Sequence, residues 1–348
     1  MTKALYPLKF APLQVEKRWG GNALKNKLGK KAAPSQEESG VNLESIGESF
    51  ELYEFGEDYS SMITNGFLAG NDLYSILETY LGDLVGDNIY EFFGNQFPLL
   101  VKYLNVEGRL SVQVHPTDEV AAERYDCLGK NEFWYVVDAK PDAKIYMGLN
   151  RDSSAEEFYA KCKDETVPEL MNVYHPKPGD CFYIKAGTVH AAEGGIVIAE
   201  IQENSDATLR LYDWGFENNP ATRRAIHLDE AIDCIDYEKY KATELFRPAS
   251  MARGTVCDCK WFTINILPLK ERYEADPENF NSFVLYMCTS GAATLQWEGG
   301  KEEIAAGDTI LIPAAMGAYS FTPKTEGTSL METFIRKIEE DKDEYLEK

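Results

Sequence analysis

Apolar residues change their period along this chain. Early on the pattern is irregular: the first 20 residues read as extended, punctuated by Pro7 and Pro12, and residues 30–48 are a polar Ser/Gly/Glu-rich loop. Leu73, Ile76, Leu77, Tyr80 and Leu81 then recur at three-to-four spacing, and Leu84, Ile89, Phe92 and Phe93 continue it with interruptions. That spacing predicts a helical segment near 70–95. From Phe97 the period falls to two, and strands are expected at 99–104, 109–115, 132–137 and 144–148. Thr117 is placed to cap a short helix between them. Residues 153–174 read as helix, with Ser153 and Glu156 as a capping box. Strands separated by Gly-rich turns follow to about residue 214, then a short helix around 229–234.

The last hundred residues form a second strand-rich block, with strands expected at 262–267, 282–289, 293–296, 309–312 and 328–334. Short strands at regular spacing suggest a sandwich or barrel. The charged tail, 337–348, reads as a solvated helix. A weak repeat links the two blocks: residues 178–187 (PGDCFYIKAG) resemble residues 306–315 (AGDTILIPAA). Both read as a Gly-Asp turn, an apolar strand and a second turn, so two copies of one barrel unit are the economical explanation. The expected division is a catalytic part at 1–240, carrying the helical segment, and a smaller barrel at 241–348.

Composition narrows the function. The chain has 348 residues, 35 Lys+Arg against 58 Asp+Glu, and a net charge of −23. So acidic a chain lacks the basic footprint that nucleic acids or anionic membranes need. No apolar stretch is long enough to span a bilayer. Lys3, Lys9, Glu16 and Lys17 break up any secretory core at the N-terminus. Seven cysteines at irregular spacing read as reduced thiols, and Cys257-Asp258-Cys259 lacks the partner pair of a zinc finger. A cytoplasmic location is therefore expected. No G-x-G-x-x-G follows a strand and no P-loop lysine appears, which argues against a dinucleotide enzyme or a kinase; no organic cofactor is expected.

Candidate chemistry lies in the first block. Ser111, Gln113 and His115 are two apart and share one strand face, with Leu110, Val112 and Val114 on the other. A half-buried strand with a wet polar face is the simpler explanation for these three alone. Lys130 and Glu132 repeat the spacing at the start of another strand, and His190 follows an apolar strand and the Gly187 turn. Gln113, His115, Glu132 and His190 could give two imidazole nitrogens and two oxygens to one divalent ion. Such a donor set suits zinc, and also manganese, iron, cobalt or nickel.

These residues carry a resemblance. Gly179-Asp180 with Gly187 to His190 resembles the second motif of the cupin superfamily, with Lys185 where proline is usual. The segment LSVQVHP (110–116) is similar to the signature of type I phosphomannose isomerases. Arg18-Trp19-Gly20-Gly21, Gly47-Glu48-Ser49-Phe50-Glu51, residues 97–102 (FPLLVK), Gly129-Lys130-Asn131-Glu132 and residues 206–214 (DATLRLYDW) follow in family order. The resemblance spans most of the chain, and the length looks like the short bacterial branch.

The resemblance implies a mainly β fold of two cupin-like jelly-roll barrels with a helical insertion. It implies one zinc per chain on Gln113, His115, Glu132 and His190, and an isomerase acting on a small phosphosugar, mannose 6-phosphate, with fructose 6-phosphate as product. Arg210, Lys130, Glu48 and Glu200 match family positions for catalysis, and Lys102, Ser111 and Trp19 for substrate contact. Arg210 and Lys102 are expected on phosphate or an oxyanion, and Lys130 on phosphate or in acid–base work; Trp19, Trp134 and Trp214 wall the pocket or fill the core. His175 and His227 are assigned no metal. The second barrel holds no histidine at the corresponding place (Gly317-Ala318-Tyr319) and is expected to be metal-free. One departure stands out: Ala192 occupies the position where eukaryotic-type members carry tyrosine. Two other classes remain as rivals: an iron-dependent cupin oxygenase and a non-catalytic sugar-binding cupin. A monomer or weak homo-oligomer is expected.

Overall fold

The computed structural model describes residues 4–37, 39–57, 59–241, 245–246, 254–275 and 280–336. The helix expected at 337–348 lies outside the described residues. The chain divides into two compact units, Pro12–Leu52 with Leu99–Ser250, and Met1–Ala11 with Tyr53–Pro98 and Met251–Lys348. The division expected from sequence, 1–240 and 241–348, cuts the chain differently. The helical segment groups with the C-terminal strands because its apolar side and backbone are used there. Phe97 packs on Phe283 with ring centroids 4.9 Å apart. The amides of Phe283, Ala314 and Ala315 donate to the carbonyls of Val85, Leu84 and Asp83.

Strands are numbered along the chain, and β1 (Leu8–Lys9) belongs to the second unit. The first unit contains β2 (Leu13–Gly21), β3 (Ile46–Leu52), β4 (Leu99–Val106), β5 (Val112–Val114), β6 (Glu132–Ala139), β7 (Lys144–Leu149), β8 (Met171–Tyr174), β9 (Cys181–Ile184), β10 (His190–Glu193), β11 (Ile196–Glu203), β12 (Leu209–Tyr212) and β13 (Leu245–Phe246). They form a seven-stranded sheet, β13-β9-β6-β11-β4-β3-β2, and a five-stranded sheet, β12-β5-β10-β7-β8. A core of Leu104, Trp134, Ile145, Met147, Phe182 and Ile198 draws on strands of both sheets. Alternation sends Val112, Val114, Tyr146 and Ala191 into a different cluster with Phe158. The ligand candidates on the same strands therefore point the other way.

The second unit adds β14 (Gly254–Asp258), β15 (Thr263–Pro268), β16 (Tyr273–Ala275), β17 (Val284–Ser290), β18 (Ala292–Trp297), β19 (Gly300–Ala305), β20 (Thr309–Ile312), β21 (Tyr319–Pro323) and β22 (Ser329–Phe334). Its sheets run β1-β20-β17-β22-β15-β14 and β16-β21-β18-β19. Both units are thus antiparallel two-sheet jelly rolls. The repeat noticed in sequence is one shared hairpin. Gly179 and Gly307 both have positive φ, 92° and 97°, which glycine adopts without steric cost. Asp180 Oδ2 accepts Lys177 N, and Asp308 Oδ2 accepts Ala305 N, each at 2.9 Å.

Several boundaries differ from expectation. The strand at 109–115 shrinks to β5. The helix at 153–174 becomes a helix at Ala155–Lys163, a 3-10 turn at Val167–Leu170 and β8. Its cap is Ser154, accepting from Glu157 N at 3.2 Å, one residue later than expected. The helix Asp118–Tyr125 does start at its Thr117 cap. None of the seven cysteines forms a disulfide. No helix among the described residues is long and apolar enough to cross a membrane.

Candidate active site

Register places the ligand candidates. His190 opens β10 directly opposite Gln113 on β5, and Glu132 opens β6 opposite Gln202 on β11. His115 lies just past β5. All four side chains are buried. Glu132 stands between the imidazoles: His115 Nε2 is 3.2 Å from Oε1 and His190 Nε2 is 3.5 Å from Oε2. Gln113 Nε2 is 3.1 Å from His190 Nε2. The imidazole and carboxylate donor atoms fall within 4.8 Å of one another.

Protonation states follow from the surroundings. Burial, reinforced by the Lys130 charge, pushes His115 down to about 3 against the pull of Glu132. Burial also lowers His190. Both rings are therefore neutral at neutral pH. His115 Nδ1 is 2.9 Å from Ala207 O, and His190 Nδ1 is 2.9 Å from Thr188 O. Carbonyls only accept, so each Nδ1 carries the proton and each Nε2 keeps its lone pair. Burial alone would raise the Glu132 carboxyl, but the Lys130 ammonium, first among the opposing causes, holds it well below the usual range.

Two lone pairs and a carboxylate thus converge in a buried place. His115 Nε2 and Glu132 Oε2 have no hydrogen-bond partner there. Orphaned buried acceptors cost free energy unless a cation meets them. Lys130 Nζ, 3.0 Å from Glu132 Oε1, supplies one charge. The donor set fits a divalent ion of the imidazole/carboxylate class, with His115, Glu132 and His190 as ligands and the Gln113 carboxamide beside them.

A second charged group lies on neighbouring strands. Lys102 Nζ is 3.5 Å from Glu200 Oε1, and Glu200 Oε2 accepts Trp134 Nε1 at 2.7 Å. Burial first, then the Glu132 charge, pushes Glu200 up to about 7. Burial works to lower Lys102, but Glu200 and Glu48 outweigh it and raise the ammonium to about 12. Glu48 pairs with Lys17 at 2.8 Å. Burial favours its neutral form, yet Lys102, Lys17 and Lys130 together hold it below the usual carboxylate range.

Arg210 sits on β12 opposite Gln113. Its Nη1 donates to Ala225 O at 2.8 Å, and its buried Nε has no partner. Sequence reasoning missed what surrounds it. Asp213 receives Arg18 at 2.9 Å and Arg224 at 2.6 and 3.0 Å. Burial first, then Arg224, disfavours the charged form of Arg210. Three guanidiniums against one carboxylate make a locally cationic patch in an acidic chain. His227, set aside in the sequence, accepts the Arg210 amide on Nδ1 at 3.1 Å. Arg18 and Asp213 stand in motifs quoted from the sequence, but nothing there links the two, and Arg224 lies in none.

Among the remaining candidates, Ser111 Oγ is buried without a partner. Trp19 is 3 % exposed and packs in the apolar core with Trp134. His175 is exposed and outside the cluster. Among the described residues of the second barrel no metal-ligand cluster occurs.

The sequence matches the family described as phosphomannose isomerase type I, catalytic domain, over residues 8–147. It is 32% identical to the probable mannose-6-phosphate isomerase GmuF of Bacillus subtilis (strain 168), across 93% of this chain and 97% of that protein. The mannose-6-phosphate isomerase ManA of the same organism is 31% identical, with 90% and 95% covered. The crystal structure of the mannose 6-phosphate isomerase from Bacillus subtilis superposes with a TM-score of 0.79 at 26% identity, covering 95% of this chain and all of that one. The agreement of near-full-length identity, fold and buried ligand cluster establishes that this chain belongs to the type I phosphomannose isomerase family of enzymes.

Proposed function

We propose that this enzyme interconverts mannose 6-phosphate and fructose 6-phosphate with one zinc ion per chain, moving a proton between C1 and C2 through an enediol. The observation that carries this reading is the buried His115–Glu132–His190 cluster with its inward-facing lone pairs, in a chain of this family. When bound, zinc supplies positive charge for the oxyanion that develops as the carbonyl enolises.

The protein groups divide the remaining work. Taking the C2 proton needs a base, and returning it to C1 needs the same group as an acid. A carboxyl near 7 serves both, so Glu200 is the best-placed proton carrier. Lys102 holds it by charge, and Trp134 holds it by a hydrogen bond. Glu48 stays ionised and balances Lys17 and Lys102. Lys130 orients Glu132 and offers its ammonium to a substrate oxygen. Arg210, with Arg18 and Arg224 on Asp213, gives the phosphate the cationic contact that a chain of charge −23 otherwise lacks. Ser111 Oγ is free to meet a sugar hydroxyl.

The test is a coupled assay of mannose 6-phosphate conversion, run also in deuterated water. Turnover with deuterium entering the C1 or C2 position supports the enediol. Turnover with no solvent exchange at equilibrium would point to direct hydride movement instead. Saturable binding without turnover would return the chain to the non-catalytic reading.

A further inference from the structure

A metal-free cluster of two imidazoles and a carboxylate has little to hold it together. Its Nε2 lone pairs and carboxylate oxygens gain nothing from facing one another, and two of those atoms have no partner. Whatever keeps them convergent must lie outside the cluster.

Asn131 is the residue placed to do this. It stands between Lys130 and Glu132 and is 1 % exposed. Its amide donates to Glu203 Oε1 at 2.8 Å, and its side-chain Nδ2 donates to the same oxygen at 2.7 Å. Its carbonyl accepts Glu203 N at 3.2 Å. Its Oδ1 accepts Ala186 N at 2.9 Å and the Tyr183 hydroxyl at 3.3 Å. One side chain therefore ties the start of β6, which carries Glu132, to the end of β11 and to the turn that leads into His190.

The same turn reaches the third ligand. Gly187 N donates to His115 O at 2.9 Å, and Lys130 N donates to Pro116 O at 3.1 Å. Thr188, next in the turn, supplies the carbonyl that orients His190. The segments bearing His115, Glu132 and His190 are thus stitched into one loop of hydrogen bonds with Asn131 at its junction. Glu203 fits this part: burial first, then nearby Asp118, raises its carboxyl well above the usual range.

We infer that Asn131 and Glu203 are positioning residues for the divalent-ion site, fixing Glu132 relative to His190 and His115 before the ion arrives. The inference rests on the reading of the triad as a metal site. Outer residues that orient metal ligands are typically worth about 10–100-fold in metal affinity. They act by preorganisation, since a ligand already in place loses no freedom when the ion binds.

The experiment titrates chelator-stripped full-length protein with Co2+ against a competing chelator, alongside circular dichroism of the metal-free protein. His115→Ala serves as the reference for the triad. Asn131→Ala and Glu203→Ala should each weaken Co2+ binding about 10–100-fold with the β-sheet spectrum kept. Glu203→Gln, which retains the acceptor oxygen, should stay near wild type. The double alanine variant should fall well short of the product of the two single effects, because both cut the same link. Wild-type Co2+ affinity in Asn131→Ala would overturn the inference while leaving the metal site standing. If Asn131→Ala fails to fold, the contrast between Glu203→Gln and Glu203→Ala decides, and equal affinities there overturn it. A wild-type protein that binds no Co2+, or binds it as well as His115→Ala does, would remove the metal reading and the inference with it.

Discussion

Glu200 and Lys102 face each other across the β11–β4 ladder, with their charged ends 3.5 Å apart and both side chains almost wholly withdrawn from water. On its other flank Glu200 is opposite Trp134. The second barrel repeats the arrangement with uncharged partners around its carboxyl. Glu332 on β22 is opposite Asn265 on β15 and Tyr286 on β17, and accepts from both at 2.7 Å. Counting along the shared hairpin, Glu132 opposite Ile184 corresponds to Val284 opposite Ile312. One barrel keeps a cation and a ligand where the other has an amide and a valine. The contrast is what the proposed role of Lys102 and Glu200 in chemistry would leave behind.

Lys102→Met tests the pair. Below pH 7 Glu200 can stay neutral by holding a proton, so the metal-free variant should lose little stability there. Above pH 7 the wild-type carboxyl ionises against Lys102, whereas the variant must keep its proton or bury an unpaired carboxylate, so its relative loss should grow by up to about 1.4 kcal/mol per pH unit. Thermal unfolding at pH 6 and pH 8 reads the difference. The double variant Lys102→Met/Glu200→Gln should regain most of the stability at pH 8 and remain inactive. An equal loss at both pH values would show that the two groups are not coupled.

Glu200→Gln gives a signed pH dependence. The folded carboxyl titrates near 7, above its ordinary 4.5. Between those values the metal-free folded protein holds a proton that the unfolded chain has released. The contribution of Glu200 to stability is therefore fully present below the ordinary value and is lost as pH rises through 7. Glutamine removes that loss. The melting temperature of the variant relative to wild type should rise from pH 5 to pH 8, and a constant difference would contradict the shift.

The arginine patch separates into two effects. Arg210→Ala should cut kcat/KM by about a hundredfold or more, as loss of a preorganised charge does, with little change in the fold. Arg224→Ala should mainly raise KM, by about tenfold, because it removes binding shared by ground and transition states. Steady-state kinetics with mannose 6-phosphate check both. An unchanged KM in Arg224→Ala would take the patch off the phosphate.

His190→Ala should abolish bound zinc, while His175→Ala should keep one ion per chain. Metal analysis after dialysis distinguishes them. Full zinc occupancy in the His190 variant would displace the site.

How much of this was legible in the sequence depended on range. Strands that are near-continuous apolar runs buried on both faces, such as 99–104 and 309–312, stand where they were expected. Edge strands β16 and β19 were missed because Tyr273–Ala275 and Gly300–Ala305 are polar and largely exposed, with no period to read. Pro168 in the 3-10 turn marked the end of the helix that sequence reading carried on to 174. The contacts of the helical segment with Phe283 and Ala314 were not legible because those partners lie some two hundred residues away. The four ligand candidates surfaced through motif order. Asn131, Asp213 and Arg224 act through contacts that no local spacing records.

The most direct measurement of the central claim is mannose 6-phosphate isomerisation before chelation, after chelation and after adding zinc back. Loss of turnover on chelation and its return at one zinc per chain is the predicted result. Undiminished turnover in protein shown to be free of metal would contradict the account.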